Sequence, residues 1–479
     1  MSDSAGRRGV KLVCTLGPAT ATIESVRALA ETANVFRVNL SHGDAEARAN
    51  LVELVRAVSE ERGEDHAVMM DLPGPKIRLG SLRGGEVRLE VGARFELRAD
   101  GADGAEGDET GAGTTYPGLA GDVRTGDRML LSDGAVELTV ASTEGSVVVC
   151  EVVRAGRIRS GAGVNVPAER LSLPGIIDRD RAGLQEALAA RADLLAQSFV
   201  RSASDVIGLR ALMGERAIPI VAKIETRPAV DDIAAILGQT DAVMVARGDL
   251  GVELPMEEIP ILQKELLKAA RVAGRPAIVA TQMLESMIAS PRPTRAEATD
   301  VATAVLDGAD AIMLSGETAI GEFPIEAARA ASRIAEVAEA RASGYIAVRD
   351  PCTHTDEAAA IAHAAAQIAN TDPSVVAIAC YTRTGRTASL LSAERPGVPI
   401  YAFVPETPPR RALSLRWGVR ALPARVPKDT DEMLASMAEG LLAAGFAAPG
   451  ESVVMAASSP AGKSHTNMLK VHHIGDAVR

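Results

Sequence analysis

Short apolar runs recur along this chain at a spacing that permits very few folds. They cover residues 11–16, 35–39, 67–72, 193–199, 218–224, 241–246, 276–281 and 310–315. Helical periodicity follows the runs, for example over residues 44–61 and 324–342. Continuous apolar runs are typical of parallel strands buried on both faces, and strand–helix repeats of about 30 residues indicate βαβ units. Eight such units predict an α/β protein built on a (β/α)₈ TIM barrel, with its active site at the C-terminal strand ends.

The repeat is interrupted after the third run and changes again near residue 343. Residues 74–167 are rich in Val and Gly with period-two runs, and Ser132-Asp133-Gly134 is a hairpin-turn sequence. We interpret this segment as an inserted small β-barrel domain that forms a lid, with its acidic residues 99–113 in a solvated loop. Later strand and helix patterns predict a C-terminal doubly wound α/β domain. The expected domains are residues 1–73 and 168–343 for the barrel, 74–167 for the lid and 344–479 for a regulatory domain.

Charged side chains stand at the predicted C-terminal ends of two neighbouring barrel strands. Lys223 and Glu225 are two positions apart, so they face the same way, and Asp249 lies just past the end of the next strand. Two carboxylates with open positions suit Mg²⁺, which prefers oxygen ligands and leaves sites for phosphate oxygens. Taken alone, Lys223 and Glu225 could equally be a structural ion pair at the barrel rim. Other strand ends add Thr15, Arg37, Asn39, Asp71, Gln197, Ser198, Arg247, Thr281, Ser315 and Glu317.

Composition narrows the class of ligand and the compartment. The net charge of -12 argues against broad binding to nucleic acid or anionic membranes, so local cations must hold any phosphorylated ligand. Aromatic residues make up only 2% of the chain, which leaves no stacking platform for single-stranded nucleic acid. No apolar stretch has the length of a membrane span or signal peptide. Four Cys without metal spacing indicate free thiols, and the expected location is cytoplasmic.

Several longer motifs share one order and spacing with a known family. They include Arg37-Val38-Asn39-Leu40-Ser41-His42-Gly43, Gly74-Pro75-Lys76-Ile77-Arg78, Lys223-Ile224-Glu225, Ala280-Thr281-Gln282-Met283 and Met313-Leu314-Ser315-Gly316-Glu317-Thr318. In these motifs the sequence resembles the pyruvate kinases over nearly its whole length. The resemblance implies a barrel with an inserted lid, a C-terminal α/β domain and a homotetramer. It also implies phosphoryl transfer from phosphoenolpyruvate to ADP, giving pyruvate and ATP.

The resemblance assigns a role to each matching residue, and the side-chain chemistry suits those roles. The implied catalytic residues are Arg37, Arg78, Lys223 and Thr281. The implied substrate-binding residues are Arg37, Lys223, Arg247, Gly248, Asp249 and Thr281. Mg²⁺ or Mn²⁺ would be held by Glu225 and Asp249. The nucleotide side would include Asn39, His42 and Arg78. Arginine forks suit phosphate oxygens, and a lysine ammonium can stabilise charge in the transition state.

Lys76 departs from the form of the family that requires K⁺. That form often carries an acidic residue at this position and a Thr at the position of Leu72. The corresponding monovalent-cation pocket would consist of Asn39, Ser41, Asp71 and the backbone at Leu72. A tethered ammonium can replace a bound cation, and two cations a few ångströms apart repel each other. We therefore expect Lys76 to act as a K⁺ surrogate and activity not to require K⁺; a Lys76 that points to solvent is the alternative.

A loop in the C-terminal domain is the expected effector site. It lies between a strand and a helix and consists of Thr382, Arg383, Thr384, Gly385, Arg386 and Thr387. Hydroxyls, backbone N–H groups and a helix N-terminus form a natural anion site, and the loop matches the family's effector phosphate loop. The expected effector is a sugar monophosphate or AMP, and the alternative is a solvated turn.

Two other functions compete with this interpretation. A metal-dependent aldolase would also use a barrel, a carboxylate-bound Mg²⁺ and a pyruvate enolate, but it would not need the lid, Arg78 or residues 37–42. A phosphometabolite-binding regulator without catalysis would not need Lys223, Glu225, Asp249 and Thr281 together. Formation of pyruvate from phosphoenolpyruvate and ADP separates all three.

Overall fold

Eight parallel strands close into a barrel in the computed structural model, which describes residues 8–99, 101, 104–167, 170–341, 356–459 and 465–476. The barrel strands are β1 (Lys11–Leu16), β2 (Val35–Asn39), β3 (Ala67–Asp71), β12 (Leu194–Gln197), β13 (Ile220–Ile224), β14 (Ala242–Ala246), β15 (Ala277–Ala280) and β16 (Ala311–Leu314). Nearly every strand residue is buried, which explains their continuous apolar character. The predicted TIM barrel is confirmed, with several strands one or two residues shorter than expected.

Helices surround the barrel and cover the outer faces of its strands. They are α1 (Ile23–Leu29), α2 (Ala45–Arg62), α4 (Asp178–Ala189), α5 (Ala203–Met213), α6 (Arg227–Asp231), α7 (Ile233–Gln239), α8 (Arg247–Glu253), α9 (Ile259–Val272), α10 (Arg295–Leu306), α11 (Gly316–Ala319) and α12 (Pro324–Glu339). Local caps set their limits. Asp44 accepts a hydrogen bond from Ala47 N at the start of α2, and Gly63 ends that helix at φ +64°. No helix among the described residues has the length and apolar character to cross a membrane.

A β-rich insertion lies between β3 and β12. Its strands are β4 (Glu86–Leu89), β5 (Arg94–Arg98), β6 (Gly111–Gly113), β7 (Arg128–Leu131), β8 (Val136–Glu144), β9 (Val147–Arg154), β10 (Gly156–Arg159) and β11 (Val164–Asn165), with one short helix, α3 (Leu119–Asp122). Six strands pair in the order β11-β7-β8-β9-β5-β6, and β10 pairs with β4. The insertion has its own apolar core, which includes Phe95, Leu97, Met129 and Val148.

One expectation within the insertion is wrong. Residues 99–113 were predicted to be a solvated loop, but Gly111–Gly113 is a buried strand that pairs in parallel with β5. A Cβ built on Gly111 would lie 2.6 Å from the carbonyl oxygen of Glu96, so glycine permits this close pairing. The hairpin-turn prediction is confirmed, because β7 and β8 pair directly on either side of residues 132–135.

The C-terminal part of the chain forms a second α/β layer. Its strands are β17 (Val375–Tyr381), β18 (Ile400–Val404), β19 (Val419–Pro423), β20 (Ser452–Ala457) and β21 (Met468–His473), and its helices are α13 (Glu357–Thr371), α14 (Arg386–Ala393), α15 (Thr407–Ala412) and α16 (Thr430–Ala443). The sheet order is β19-β18-β17-β20-β21, parallel except for β21. The expected domain boundaries at 167/168 and 343/344 include residues outside the described ranges. Cys352 also lies outside those ranges, and the other three cysteines, Cys14, Cys150 and Cys380, are buried free thiols.

The segment after α15 closes the N-terminal end of the barrel. The sequence pattern predicts a single helix over residues 409–417, but α15 ends at Ala412 and a 3₁₀ turn, Leu413–Leu415, follows. The turn carries Leu415 into the apolar cluster inside the barrel, where it packs with Val13 and Val35. The Trp417 indole N–H donates to Glu339, whose carboxylate also accepts the Gly9 and Val10 N–H groups. These contacts fix the C-terminal domain against the barrel floor.

Lys11 also spans the contact between the barrel and the C-terminal domain, which we call the seam. Its side chain is buried, and its ammonium nitrogen lies 2.7 Å from the carbonyl oxygen of Val419. The pKa of Lys11 is lowered from its ordinary value of 10.5 to about 7, chiefly by burial, with the nearby Arg8 and Arg420 adding to the effect and Glu339 opposing it. The folded protein therefore holds this amine close to neutrality at physiological pH.

This buried amine predicts how stability changes with pH. Between about pH 7 and about pH 10 the unfolded chain keeps the Lys11 proton while the folded chain has lost it. Stability from this group should therefore rise with pH, by up to about 1.4 kcal/mol per unit, and no such slope should come from it below pH 7. Lys11→Met should remove the slope, while Lys268→Met, at an exposed position of α9, should keep it. Unfolding midpoints measured across this range test the prediction; equal slopes for Lys11→Met and the parent would contradict it.

Candidate active site

Four charged side chains meet at the C-terminal ends of β2, β3 and β13. The Lys223 ammonium lies 2.9 Å from Glu225 Oε1 and 3.5 Å from Asp71 Oδ1. Arg37 Nε lies 2.7 Å from Asp71 Oδ2, and its Nη1 donates to Thr15 Oγ1 at 3.1 Å. Because these strands are neighbours or next-but-one neighbours in a closed sheet, residues distant in sequence converge here. Lys223 and Glu225 therefore lie together at a strand end, as the sequence predicts, and Asp71 is a partner that Lys223 shares with Arg37.

Ser198 connects the two halves of this cluster. It follows β12, the strand between β3 and β13, and its hydroxyl accepts a hydrogen bond from Lys223 Nζ at 2.7 Å. The same hydroxyl donates to Asp71 Oδ1 at 3.3 Å. Sequence reasoning placed Ser198 at a strand end but gave it no role, because one serine carries no chemical signature. Its contacts fix the direction of the Lys223 side chain.

Burial and charge act against each other in this cluster. Burial would lower the pKa of Lys223, but Asp71 and Glu225 outweigh it and raise that pKa. Burial would raise the pKa of Asp71, but the Lys223 and Arg37 charges outweigh it and lower that pKa. Lys223 is therefore a fixed cation and Asp71 a fixed anion at neutral pH.

Glu225 and Asp249 form the expected metal-binding pair. Glu225 is 1% exposed, and its Oε2 accepts the Phe199 backbone N–H at 2.7 Å. Burial raises the pKa of Glu225; Lys223 opposes that rise, and the negative charge of Asp249 adds to it. The negative charge of Asp249 beside the buried Glu225 favours a cation near the two carboxylates. Carboxylate oxygens are the hard donors that Mg²⁺ and Mn²⁺ prefer, so the chemistry of these two residues fits either ion.

Lys76 is partly buried and lies against Asp249, an acid of the barrel. Its ammonium is 2.8 Å from Asp249 Oδ1 and 3.3 Å from Asp133 Oδ1 in the lid hairpin. The Phe199 ring centroid is 5.9 Å from the same nitrogen. Burial would lower the pKa of Lys76, but Asp249 and then Asp133 outweigh it and raise that pKa. Among the described residues, these acids, and not the expected monovalent pocket, are its hydrogen-bonded partners.

The expected pocket residues do share one rim. Asn39 and Asp71 are paired in register at the ends of β2 and β3, and Leu72 follows directly. Asn39 Oδ1 accepts the Ser41 backbone N–H at 3.0 Å, and Arg179 donates to the Ser41 carbonyl at 2.9 Å. These contacts give the rim a fixed shape.

The residues assigned to the nucleotide also come together. Asn39 Nδ2 and His42 Nδ1 are 3.2 Å apart. Burial lowers the pKa of His42, and the positive charges of Arg78, Arg37 and Arg179 lower it further. These effects favour the neutral form of His42, and the guanidinium groups around it are the kind of positive charge that attracts a polyphosphate. Arg78 is held by the carbonyl of Gly161, 3.0 Å from its Nη1, where the chain leaves the lid.

The turn after β15 has a strained backbone. Thr281 has φ +71°, an uncommon conformation for a β-branched residue. Its hydroxyl donates to the Ala280 carbonyl at 2.5 Å and accepts the Gly248 N–H at 2.7 Å. The Arg247 guanidinium binds the Thr281 carbonyl at 2.8 Å and Asp300 at 2.6 Å. Arg247 therefore holds the strained turn through its side chain, and the Thr281 hydroxyl is engaged by backbone groups.

The expected effector loop lies far along the chain, after β17. Thr382 Oγ1 accepts the Gly385 N–H at 3.1 Å, and Thr387 is hydrogen-bonded to Thr466 at 2.7 Å, so both hydroxyls have internal partners. Arg386 binds Asp356, and Arg383 lies 3.8 Å from Glu406 with its side chain largely exposed. The Tyr381 hydroxyl just before the loop is buried without a hydrogen-bond partner among the described residues, and it lines a cavity of about 610 Å³ against α16.

Comparisons with known proteins match nearly the whole chain to one family. Family models described as pyruvate kinase, barrel domain and pyruvate kinase, alpha/beta domain match residues 7–328 and 359–472. A pyruvate kinase from Corynebacterium glutamicum is 40% identical over 98% of this chain and 99% of its own length. One from Mycobacterium tuberculosis strain H37Rv has the same identity and coverage. A crystal structure of a pyruvate kinase from Cryptosporidium parvum superposes with a TM-score of 0.89, at 31% identity, over 99% of this chain and 98% of that one.

Because Asp71 is paired with both Lys223 and Arg37, its substitution by asparagine gives a prediction. The amide keeps the shape but removes the charge that orients both Lys223 and Arg37, so turnover should fall about 10- to 100-fold. Asp193→Asn is the matched control, since Asp193 is also buried and paired, with Arg56 at 2.8 Å, but at the other end of the barrel. Both variants should lose stability, and only Asp71→Asn should lose kcat per folded molecule. Unchanged kcat in Asp71→Asn would contradict the assignment.

Proposed function

The chain belongs to the pyruvate kinase family, and from that premise we propose how its own residues transfer a phosphoryl group from phosphoenolpyruvate to ADP. The reaction is the last step of glycolysis and gives pyruvate and ATP. The phosphorus–oxygen bond to the enol breaks, a new bond forms to the terminal phosphate of ADP, and the enolate carbon takes a proton. Phosphoryl transfer depends mainly on positioning and on neutralising charge.

Lys223 and Arg37 are the groups we assign to the transferred phosphoryl. Both are nearly buried, and both are fixed by Asp71, so they do not reorganise when charge moves. The Lys223 ammonium faces the developing negative charge, and Arg37 offers a planar fork to the phosphate oxygens. Arg78, at the base of the lid, completes the positive rim on the nucleotide side. This buried cluster of two cations around one carboxylate is the observation that carries the proposal.

Glu225 and Asp249 are the residues we assign to the divalent cation. Their paired charges fit Mg²⁺ or Mn²⁺, which when bound would polarise substrate oxygens and offset enolate charge. Glu225 is aligned by the Phe199 N–H, so its orientation is set before any ligand arrives. Asp249 stands in the first turn of α8, close to the Gly248 backbone that we assign to the substrate carboxylate.

Thr281, Asn39 and His42 complete the assignment. Thr281 lies at the strained turn beside Gly248, where its hydroxyl can join a proton relay to the enolate carbon once the backbone contacts rearrange. Asn39 and His42 form the nucleotide side together with Arg78, and the neutral imidazole can accept a hydrogen bond from the nucleotide without adding charge.

A coupled assay with lactate dehydrogenase and NADH tests the function directly. The purified chain should form pyruvate from phosphoenolpyruvate and ADP in the presence of Mg²⁺. Lys223→Met should lower kcat per folded molecule about 100- to 1,000-fold, because it removes a charge used in the transition state. It should also lose stability, since Asp71 and Glu225 lose a buried counter-ion. Lys268→Met, on the exposed face of α9, should retain the parent rate. No pyruvate from the parent, or a fully active Lys223→Met, would refute the proposal.

We also propose that activity does not depend on K⁺. Lys76, four residues after Leu72 of the expected monovalent-cation pocket, places a permanent positive charge between Asp249 and Asp133. A mobile cation nearby would be repelled by it. Turnover in tetramethylammonium buffer should be at least about half of that in K⁺, a difference of under 1 kcal/mol in barrier height. Near-total loss that K⁺ restores would contradict this.

The remaining assignments concern regulation and assembly. The loop of residues 382–387 is our candidate site for a sugar monophosphate or AMP, supported by exposed Arg383 and the adjoining cavity; a phosphoenolpyruvate saturation curve unmoved by these ligands would count against it. A homotetramer in the cytoplasm is proposed from the family. An apolar groove of about 520 Å³, lined by Leu306, Ile334 and Val337, supports barrel-to-barrel pairing, and light scattering measures the mass.

A further inference from the structure

One lysine bridges acids from two different parts of the chain. Lys76 Nζ lies 2.8 Å from Asp249 Oδ1, which belongs to the barrel, and 3.3 Å from Asp133 Oδ1, which belongs to the lid hairpin. Lys76 itself stands on the segment that leads from β3 into the lid. The ammonium is therefore one counter-ion shared by an acid of the lid and an acid of the barrel.

The surrounding residues leave the ammonium few other positions. A Cβ built on Gly163 would lie 2.9 Å from Lys76 Cε and 3.5 Å from Asp133 Oδ1, so glycine makes room for the side chain where the chain leaves the lid. Phe199 lies on another side, with its ring centroid 5.9 Å from the nitrogen. Asp133 is held in the hairpin turn with φ +52°, between Ser132 and Gly134, which also have positive φ. The bridge is thus built from fixed elements on both sides.

Asp249 is also one of the two acids assigned to the divalent cation. Once a divalent cation binds Asp249, its two positive charges exceed the single negative charge of the carboxylate, so the metal repels the nearby ammonium. When the metal binds, the ammonium must leave Asp249, and Asp133 is the second acceptor already in contact with it. The ion pair between Lys76 and the largely exposed Asp133 is weak by itself. The ammonium can therefore move reversibly between Asp249 and Asp133.

We propose that Lys76 and Asp133 are positioning residues that couple divalent-cation binding to the lid. In the metal-free enzyme Lys76 neutralises Asp249 and tethers the lid through Asp133. With the metal bound, Asp133 retains the ammonium on the lid side. The inference rests on the proposed metal site at Glu225 and Asp249. By thermodynamic linkage, whatever strengthens the tether to Asp249 must weaken metal binding by the same factor.

Mn²⁺ binding without substrate, followed by electron paramagnetic resonance, tests the coupling apart from catalysis. Lys76→Met removes the competing charge and should tighten Mn²⁺ binding about three- to tenfold. Asp133→Asn removes the alternative acceptor and should weaken Mn²⁺ binding about threefold. In the Lys76→Met background, Asp133→Asn should have no effect, since there is no ammonium to retain. Glu144→Gln, at the exposed end of β8, removes a lid charge outside the bridge and should behave like the parent.

Hydrogen exchange in the metal-free enzyme gives a second readout. Residues 132–135 and 161–165 should exchange faster in Lys76→Met and in Asp133→Asn than in the parent and Glu144→Gln, because the tether is lost. Lys76→Gln, which keeps a polar side chain, replaces Lys76→Met if the latter does not fold.

Specific results would overturn the inference. Equal Mn²⁺ affinity in Lys76→Met and the parent would show that the ammonium does not compete. An effect of Asp133→Asn that persists in the Lys76→Met background would show that Asp133 acts only through its own charge. Mn²⁺ binding that survives both Glu225→Gln and Asp249→Asn would instead refute the proposed metal site, and the coupling with it.

Discussion

The geometry of this site depends on Asp71, a buried carboxylate shared by two cations. Taking charges out of water costs several kcal/mol per ion, and only good geometry with extra hydrogen bonds offsets that cost. Here Arg37, Lys223 and Ser198 all bind Asp71, and each comes from a different strand end. The cluster can form only if the barrel closes with the correct register, because a shift of one residue would turn each side chain to the other face. Fold and site are therefore specified together.

Closure of the barrel depends in turn on the side chains that fill its N-terminal end. At the N-terminal end the C-terminal domain supplies Leu415 to the interior, and Trp417 and Lys11 cross the seam. A barrel needs its interior filled by side chains, and in this chain part of that filling comes from beyond residue 400. This arrangement explains why a 3₁₀ turn replaces the last turns of the helix expected over residues 409–417. It also places the C-terminal domain in direct contact with the core beneath the active site.

Sequence patterns predicted the elements that are set by local periodicity. The strands over residues 11–16 and 35–39 agree residue for residue, since each is a buried run with no competing signal. The run over 193–199 was expected to be longer than β12, because an apolar pattern does not reveal that Phe199 turns to φ +54° to point its N–H at Glu225. The edge strand β19 was missed, since it is short and contains Arg420 and Pro423.

Contacts between segments that are distant in the chain could not be predicted from the sequence. Lys76 was singled out by its charge, but its partner Asp249 is 173 residues away, and the lid partner Asp133 attracted notice only as a turn residue. The same holds for the strained Thr281, whose φ is maintained by Arg247 and Asp300 from other elements. Strain of this kind persists only where surrounding structure over-determines it. Two of the non-glycine residues with positive φ, Phe199 and Thr281, contact Glu225 and Gly248. The backbone here is thus shaped by the orientation of the site groups and departs from the preferences of the residues themselves.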